Sequence, residues 1–224
     1  MNEISKRILT GSILLSLLVM SFFNIFILII SLIFLLIIGW IEFNALISKI
    51  FNQKNFKNHF LKFLSKLFSL LYLFLFSGFI FEALSQVDIN YKITMIYLFS
   101  ICVCSDIGGF IFGKFFKGKK LTKISPNKTI SGSIGSFILS LFMVPLFFFI
   151  PAFELLNLND LLILALLVSL FCQFGDLFIS YLKRKAKVKD TGDLLPGHGG
   201  VLDRIDGILL AIPVGMILVE FLIY

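Results

Sequence analysis

Long apolar runs alternate with short polar stretches along the whole chain, and the lengths of the runs predict its elements. Residues 8–41 form one run too long for a single bilayer crossing, with Asn24 near its middle, which predicts two short helices folded back as a hairpin. A polar stretch at 52–59 follows, then a third span over 60–84 and a polar turn, SQVDINYK, ending at Lys92. The fourth span starts near Ile93, contains Asp106 and gives way to the basic segment KFFKGKKLTKISPNKT at 114–129. Residues 134–149 make a fifth span, 161–182 a sixth and 205–224 a seventh, with the acidic turn ELLNLND before the sixth. Backbone in contact with lipid must satisfy its own hydrogen bonds, so every run is expected to be helical. The expected fold class is all-α: a polytopic membrane protein of about seven transmembrane helices with one polar, cytoplasm-facing site. Amino-terminal membrane helices occupy 1–92 and the helices bearing the polar loops occupy 93–224, together forming a single integral membrane unit.

Composition excludes the alternative of a water-soluble domain. Of 224 residues, 58% are hydrophobic and 29 are phenylalanine, with a mean hydropathy of +1.02, more apolar surface than a soluble core of this size can bury. The amino terminus has a basic start and an apolar run, but no small-residue cleavage site, and its hydrophobicity outlasts a signal peptide; a retained first helix is expected. Cys102, Cys104 and Cys172 lack metal-ligand or disulfide spacing and read as small buried hydrophobes.

Charge sets the orientation. The net charge is +7, and with an odd number of crossings every lysine and arginine except Lys92 falls on or beside one face, while Asp88, Glu154 and Asp160 fall on the other. The basic face is then cytoplasmic and the carboxyl terminus outside. For the lysines of 49–66, setting topology and meeting anionic headgroups is a sufficient role. The loops at 114–129 and 183–207 carry more than charge.

At the end of the sixth span, Asp176, Ser180, Lys183 and Arg184 recur at helical spacing and are expected to share a face. A carboxylate within a membrane helix costs at least a few kcal/mol, so Asp176 should meet a polar partner rather than lipid. The following segment, KDTGDLLPGHGGVLDRIDG at 189–207, adds Asp190, Asp193, Asp203 and Asp206. Carboxylates crowded at a bilayer surface repel one another unless a cation holds them, and hard oxygen donors favour magnesium or calcium. Pro196, Gly197, Gly199 and Gly200 around His198 make a turn where backbone amides can approach phosphate oxygens, although the same glycines would serve a plain tight turn. His198 would orient phosphate, shuttle a proton or cap the loop. Lys119, Lys120, Lys123 and the SPNKT run at 125–129 offer further phosphate ligands, with Pro126 breaking the helix so that Ser125, Lys128 and Thr129 sit on an ordered loop. Together these parts suit phosphoryl or nucleotidyl transfer.

The stretch SYLKRKAKVKDTGDLLPGHGGVLDRID at 180–206 resembles the signature of the phosphatidate cytidylyltransferase family, also called CDP-diacylglycerol synthase: a serine, KR, KD, PGHGG and DRxD in order. QFGDL at 173–177 and SPNKT look like the same family, so the resemblance covers chiefly 105–207. Two departures stand out. After SPxKT the family usually has tryptophan and glutamate, where this chain has Ile130 and Ser131, so that glutamate's part is missing or supplied elsewhere. The chain is also short for the family, which points to loss of amino-terminal spans with the catalytic half kept whole.

The resemblance implies condensation of CTP with phosphatidic acid to CDP-diacylglycerol and pyrophosphate, dependent on Mg2+ with room for a second cation. It implies a homodimer among the membrane lipids of a bacterial cytoplasmic membrane, the site facing the cytoplasm, with no nucleic-acid partner. It assigns Asp176, Asp190, Asp203 and Asp206 to cation coordination. Lys183, Arg184, Lys189 and Arg204 would bind the triphosphate or the phosphatidate headgroup, with Ser125, Lys128, Thr129, Ser180, His198, Gly199 and Gly200 as further substrate contacts. Two other readings are weighed beside it. A CTP-dependent polyprenol kinase would release CDP instead of pyrophosphate. An ion or proton carrier would use Glu42, Glu82, Asp106 and Asp176, the acids in or beside apolar spans.

Overall fold

The computed structural model describes residues 3–51, 56–195, 197 and 199–223. Its elements are α1 (Glu3–Phe23), α2 (Ile25–Ile50), α3 (Phe56–Ser85), α4 (Ile89–Phe116), α5 (Ile130–Leu141), α6 (Met143–Phe147), a single 3-10 turn at Pro151–Phe153, α7 (Leu158–Lys185) and α8 (Leu202–Ile223). The protein is an all-α polytopic membrane protein. Among the described residues six helices are long and apolar enough to span a bilayer, counting α5 and α6 together as Ile130–Phe147. The remaining candidate for the expected seventh span is α1, whose apolar part, Leu9–Phe23, is shorter.

Local chemistry explains where the helices begin and end. The long first run breaks at Asn24, as expected: its backbone is extended (φ −133°, ψ 114°), and its side-chain oxygen accepts the N–H groups of Phe26 (2.9 Å) and Ile27 (3.4 Å), capping α2. The two resulting helices are longer than the short pair expected, with α2 continuing to Ile50. Likewise α4 starts at Ile89 rather than Ile93, because Asp88 accepts the Asn90 N–H at 2.9 Å. The fifth span starts at Ile130 rather than residue 134, because Thr129 Oγ1 accepts the Gly132 N–H at 3.1 Å. That span is interrupted at Phe142, since Pro145 has no N–H to donate to Leu141 one turn back.

The chain divides into two compact units: Met1–Ser85 with Tyr181–Ile205, and Gln86–Ser180 with Asp206–Tyr224. In the first, α2 and α3 bury Leu28, Phe43, Leu46 and Ile47 together with Leu73, Phe76 and Ile80, and Gly39 leaves room for the Leu73 methyls. In the second, Tyr97 is fully buried between Phe147 (4.8 Å between ring centroids) and Phe153 (5.1 Å), and its hydroxyl donates to the Leu161 carbonyl at 3.2 Å.

The second unit is also held by small residues. Gly108 and Gly135 bring α4 and α5 backbone to backbone: a Cβ at Gly108 would collide with the Gly135 carbonyl, and one at Gly135 with Phe112. Beside this contact Ser136 donates to the Ser105 carbonyl (2.6 Å), and the Ser105 and Ser169 hydroxyls meet at 3.0 Å. Small side chains and interhelical hydroxyl bonds are the means by which helices associate where lipid removes the hydrophobic drive. Gly135→Ala should therefore destabilise the protein by about 1–3 kcal/mol. Gly78→Ala on α3, where no atom lies within 4 Å of the added methyl, should be neutral or stabilising. Thermal unfolding of both variants in detergent checks the contrast.

Candidate functional site

Within the second unit, the loop between α4 and α5 folds back on itself. Leu121 N–H donates to the Lys128 carbonyl (2.8 Å), Ile130 N–H to the Lys119 carbonyl (3.0 Å), and Lys128 N–H to the Ser125 carbonyl (3.1 Å), closing a turn with Pro126 at its second position. The ordered loop expected of SPNKT is present. Ser131, one of the two residues that depart from the usual family pattern, donates its hydroxyl to the Lys117 carbonyl and meets Thr129 Oγ1 at 3.0 Å, so it fastens the start of this loop to its end.

The SPNKT loop and the QFGDL turn of α7 meet. Lys128 Nζ forms an ion pair with Asp176, and Asp176 Oδ1 accepts the Ser180 hydroxyl at 3.3 Å, so the acid has the polar partner its position in a membrane helix requires. One helical turn before it, Gln173 Oε1 accepts the Ser133 hydroxyl at 2.5 Å. Ser125 is half-buried, its N–H accepted by Thr122 Oγ1 at 3.3 Å, while Lys119, Lys120 and Lys123 are exposed. Gly207 passes so close to α7 that a Cβ there would lie 2.6 Å from Cys172 Sγ, and this contact sets Asp206 beside that helix. Asp206 Oδ1 accepts the N–H of Gly207 at 2.9 Å. Cys102 and Cys172 are buried, Cys172 Sγ lying 3.8 Å from Asp106 Oδ1, and Cys104 is half-buried.

The first unit holds the glycine-rich signature. Asp203 is its hub: Oδ1 accepts Lys183 Nζ at 2.6 Å, and Oδ2 accepts the N–H groups of Thr191 (2.8 Å) and Gly200 (3.0 Å) and the Thr191 hydroxyl (3.0 Å). Gly197 (φ 77°) and Gly199 (φ 79°) take the left-handed backbone that an L side chain resists. They fold the tip so that Leu195 and Gly199 exchange both backbone bonds (2.9 and 3.1 Å). The Gly199 and Gly200 amides offered for phosphate are thus engaged with Leu195 and Asp203. Asp190 lies against Gly199, whose Cβ position would be 3.3 Å from the Asp190 Cβ. Arg184, Lys189, Asp190 and Arg204 are exposed. Pro196 and His198 lie outside the described residues.

One buried acid outside the motifs meets the signature segment. Glu42 of α2 accepts the Thr191 hydroxyl (2.7 Å) and the N–H groups of Val201 and Leu202 (both 2.9 Å) from within the protein. Its only sequence signal is an acid at the edge of an apolar run, and Thr191 has none beyond its place in the signature.

The donor set is that of a hard cation, carboxylate oxygens without thiolate competition. Among the described residues, however, no three histidine, cysteine, aspartate or glutamate side chains are close enough to form a coordination shell. Asp176 and Asp203 are each neutralised by a lysine instead.

Comparison with known proteins extends the likeness beyond the motifs. A protein named phosphatidate cytidylyltransferase from Rickettsia felis is 45% identical over 137 residues, 58% of this chain and 60% of the relative. One of the same name from Staphylococcus haemolyticus is 43% identical over 120 residues, 53% of this chain and 46% of the relative. The chain thus spans 60% or less of the length of these curated relatives. The model of one family, described as the Cytidylyltransferase family, matches residues 2–222, so that the amino-terminal helices are included with the motif-bearing part. Both lysine–aspartate pairs and the glycine-rich turn therefore stand within a match running nearly end to end, and the chain belongs to the Cytidylyltransferase family.

Proposed function

We propose that the chain condenses CTP with phosphatidate, giving CDP-diacylglycerol and pyrophosphate. A phosphatidate oxygen attacks the α-phosphorus of CTP; a new P–O bond forms as the bond from that phosphorus to the oxygen bridging it to the β-phosphorus breaks, and pyrophosphate leaves with the electron pair. Phosphatidate is already an oxyanion at neutral pH, so the chain need not supply a strong base. It must supply positive charge, held in place before the substrates arrive.

The observation that carries this reading is the pairing of a signature lysine with a signature aspartate in each unit, Lys128 with Asp176 and Lys183 with Asp203. Each lysine is positioned by a carboxylate and can turn to a phosphate oxygen when CTP binds. Arg184, Lys189 and Arg204 add exposed charge for the triphosphate or the headgroup, and Ser125, Thr129 and Ser180 add hydroxyl donors. Asp176 and Asp206 in the second unit and Asp190 and Asp203 in the first are the carboxylates proposed as magnesium ligands, and the metal would supply charge neutralisation for the triphosphate once Lys128 and Lys183 turn to phosphate. The distribution of lysine and arginine supports a site on the cytoplasmic face, where lipid headgroup and soluble nucleotide meet. The family resemblance adds a homodimer within the membrane.

Purified protein given phosphatidate, magnesium and labelled CTP should form labelled CDP-diacylglycerol and release pyrophosphate, while GTP and dATP give no nucleotidyl lipid. Chelating the magnesium should stop turnover, and adding it back should restore it. Release of CDP with a phosphorylated lipid alcohol, or ion flux in liposomes without CTP, would overturn the reading.

A further inference from the structure

Glu42 stands outside every motif that supports the proposed reaction, and it is 5% exposed on a membrane helix. A carboxylate so placed is costly unless donors surround it. We propose that Glu42 is a positioning residue for the signature segment: it caps α8 from α2 and, through Thr191, fixes the carboxylate of Asp203 that holds Lys183. The inference rests on the cytidylyltransferase reading for its catalytic consequence, and on the hydrogen bonds of the first unit for the rest.

Two of the three donors to Glu42, the Val201 and Leu202 amides at 2.9 Å, open α8 and have no partner within that helix. Val201 has no side-chain oxygen of its own to cap them. Glu42 takes that place from another helix, adding an anion where the helix dipole favours one. The third donor makes the connection to the signature. The Thr191 hydroxyl lies 2.7 Å from Glu42 Oε2 and 3.0 Å from Asp203 Oδ2, while the Thr191 N–H donates to Asp203 at 2.8 Å. A hydroxyl has one proton to give, so the Thr191 hydroxyl donates to one carboxylate at a time, nearer to Glu42, while its N–H holds Asp203, and Asp203 reaches Lys183 with its other oxygen.

An independent observation comes from the glycines. A Cβ on Gly200 would lie 2.5 Å from Glu42 Oε2 and collide with Thr191 Oγ1; a Cβ on Gly192 would lie 2.8 Å from Glu42 Oε1. The segment is bare on both sides of the carboxylate that it surrounds. Both oxygens of Glu42 are thus taken up by backbone amides and one threonine of the folded chain.

The test uses the full chain with Glu42→Gln, Thr191→Val and Thr191→Ser, and Glu82→Gln, an exposed acid on α3, as control. A glutamine presents an N–H to one of three donors, and a valine fills the threonine's shape without its hydroxyl. Glu42→Gln and Thr191→Val should each lower kcat/KM for CTP by about 10²-fold, since a small misplacement of a positioned charge is enough for that. The double variant should be no worse than Glu42→Gln alone, and Thr191→Ser should stay near wild type. A second readout needs no turnover: trypsin should cleave after Lys189 about tenfold faster in Glu42→Gln and Thr191→Val than in wild type, Thr191→Ser or Glu82→Gln. Wild-type turnover in Glu42→Gln and Thr191→Val overturns the proposal, even where cleavage is faster, because Glu42 would then hold the segment without serving the reaction. If Glu42→Gln does not fold, the Thr191→Val and Thr191→Ser pair decides. A wild-type protein that makes no CDP-diacylglycerol removes the proposed function instead, and the cleavage rates alone then decide whether Glu42 holds the segment.

Discussion

Asp203→Ala is expected to lower CDP-diacylglycerol formation by about 10³-fold or more, in protein that still inserts and purifies as wild type does. The size of the effect follows from how much this one carboxylate gathers. It is the counter-charge of Lys183, whose Nζ lies 2.6 Å away, and it accepts the backbone N–H groups of Thr191 and Gly200 and the Thr191 hydroxyl. Removing it frees a lysine, leaves two amides without an acceptor and unfastens the glycine-rich tip. Insertion should survive, because the only change within the apolar stretch Leu202–Leu222 is the loss of one charge, which favours transfer to lipid. Glu42 would still cap Val201 and Leu202. Labelled-CTP turnover per mole of protein, set beside gel filtration in detergent, checks both halves. A rate within tenfold of wild type would remove the signature segment from the chemistry.

The second large effect belongs to Lys128. Lys128→Met should cost about 10²–10³-fold in kcat/KM, and it isolates the role of charge better than most substitutions. The turn that carries Lys128 is closed by its own backbone N–H and carbonyl, bonded to Ser125 and Leu121, so the loop persists when the side chain changes. Lys128→Arg should recover only part of the rate, since the planar guanidinium keeps the charge but not the geometry. The decisive comparison is the split between kcat and KM for CTP in Lys128→Met: a lysine present only to neutralise Asp176 would leave KM for CTP near wild type, whereas a lysine that also meets phosphate raises it.

The existence and order of the helices were legible in the apolar runs, because lipid leaves a spanning backbone few alternatives. Their ends were not, because ends are decided by single side chains. Asp88 and Thr129 each start a helix about a turn ahead of the apolar run, and Pro145 interrupts a run of uniform hydropathy. Only Asn24 announced its break, as a polar cap in the middle of an apolar stretch too long for one span.

The site was legible to a different degree. SPNKT, QFGDL and the signature were visible as motifs, yet that Lys128 pairs with Asp176 and Lys183 with Asp203 is a matter of tertiary contact. Glu42 could not be distinguished beforehand, since an acid at the edge of an apolar run looks the same as a helix end, a carrier site or a cap. The likeness of residues 2–222 to one family was equally hidden in the amino-terminal helices, which show in the sequence as little more than hydrophobicity.

The meeting of Gly108 with Gly135 has a consequence for the basic loop that joins α4 to α5. Both anchorages of that loop are moored independently of the peptide linking them, so the connection behaves as a clasp rather than a tether. Its lysines are presented from a fixed frame, and a single nick within it would break the polypeptide while leaving the two helices docked.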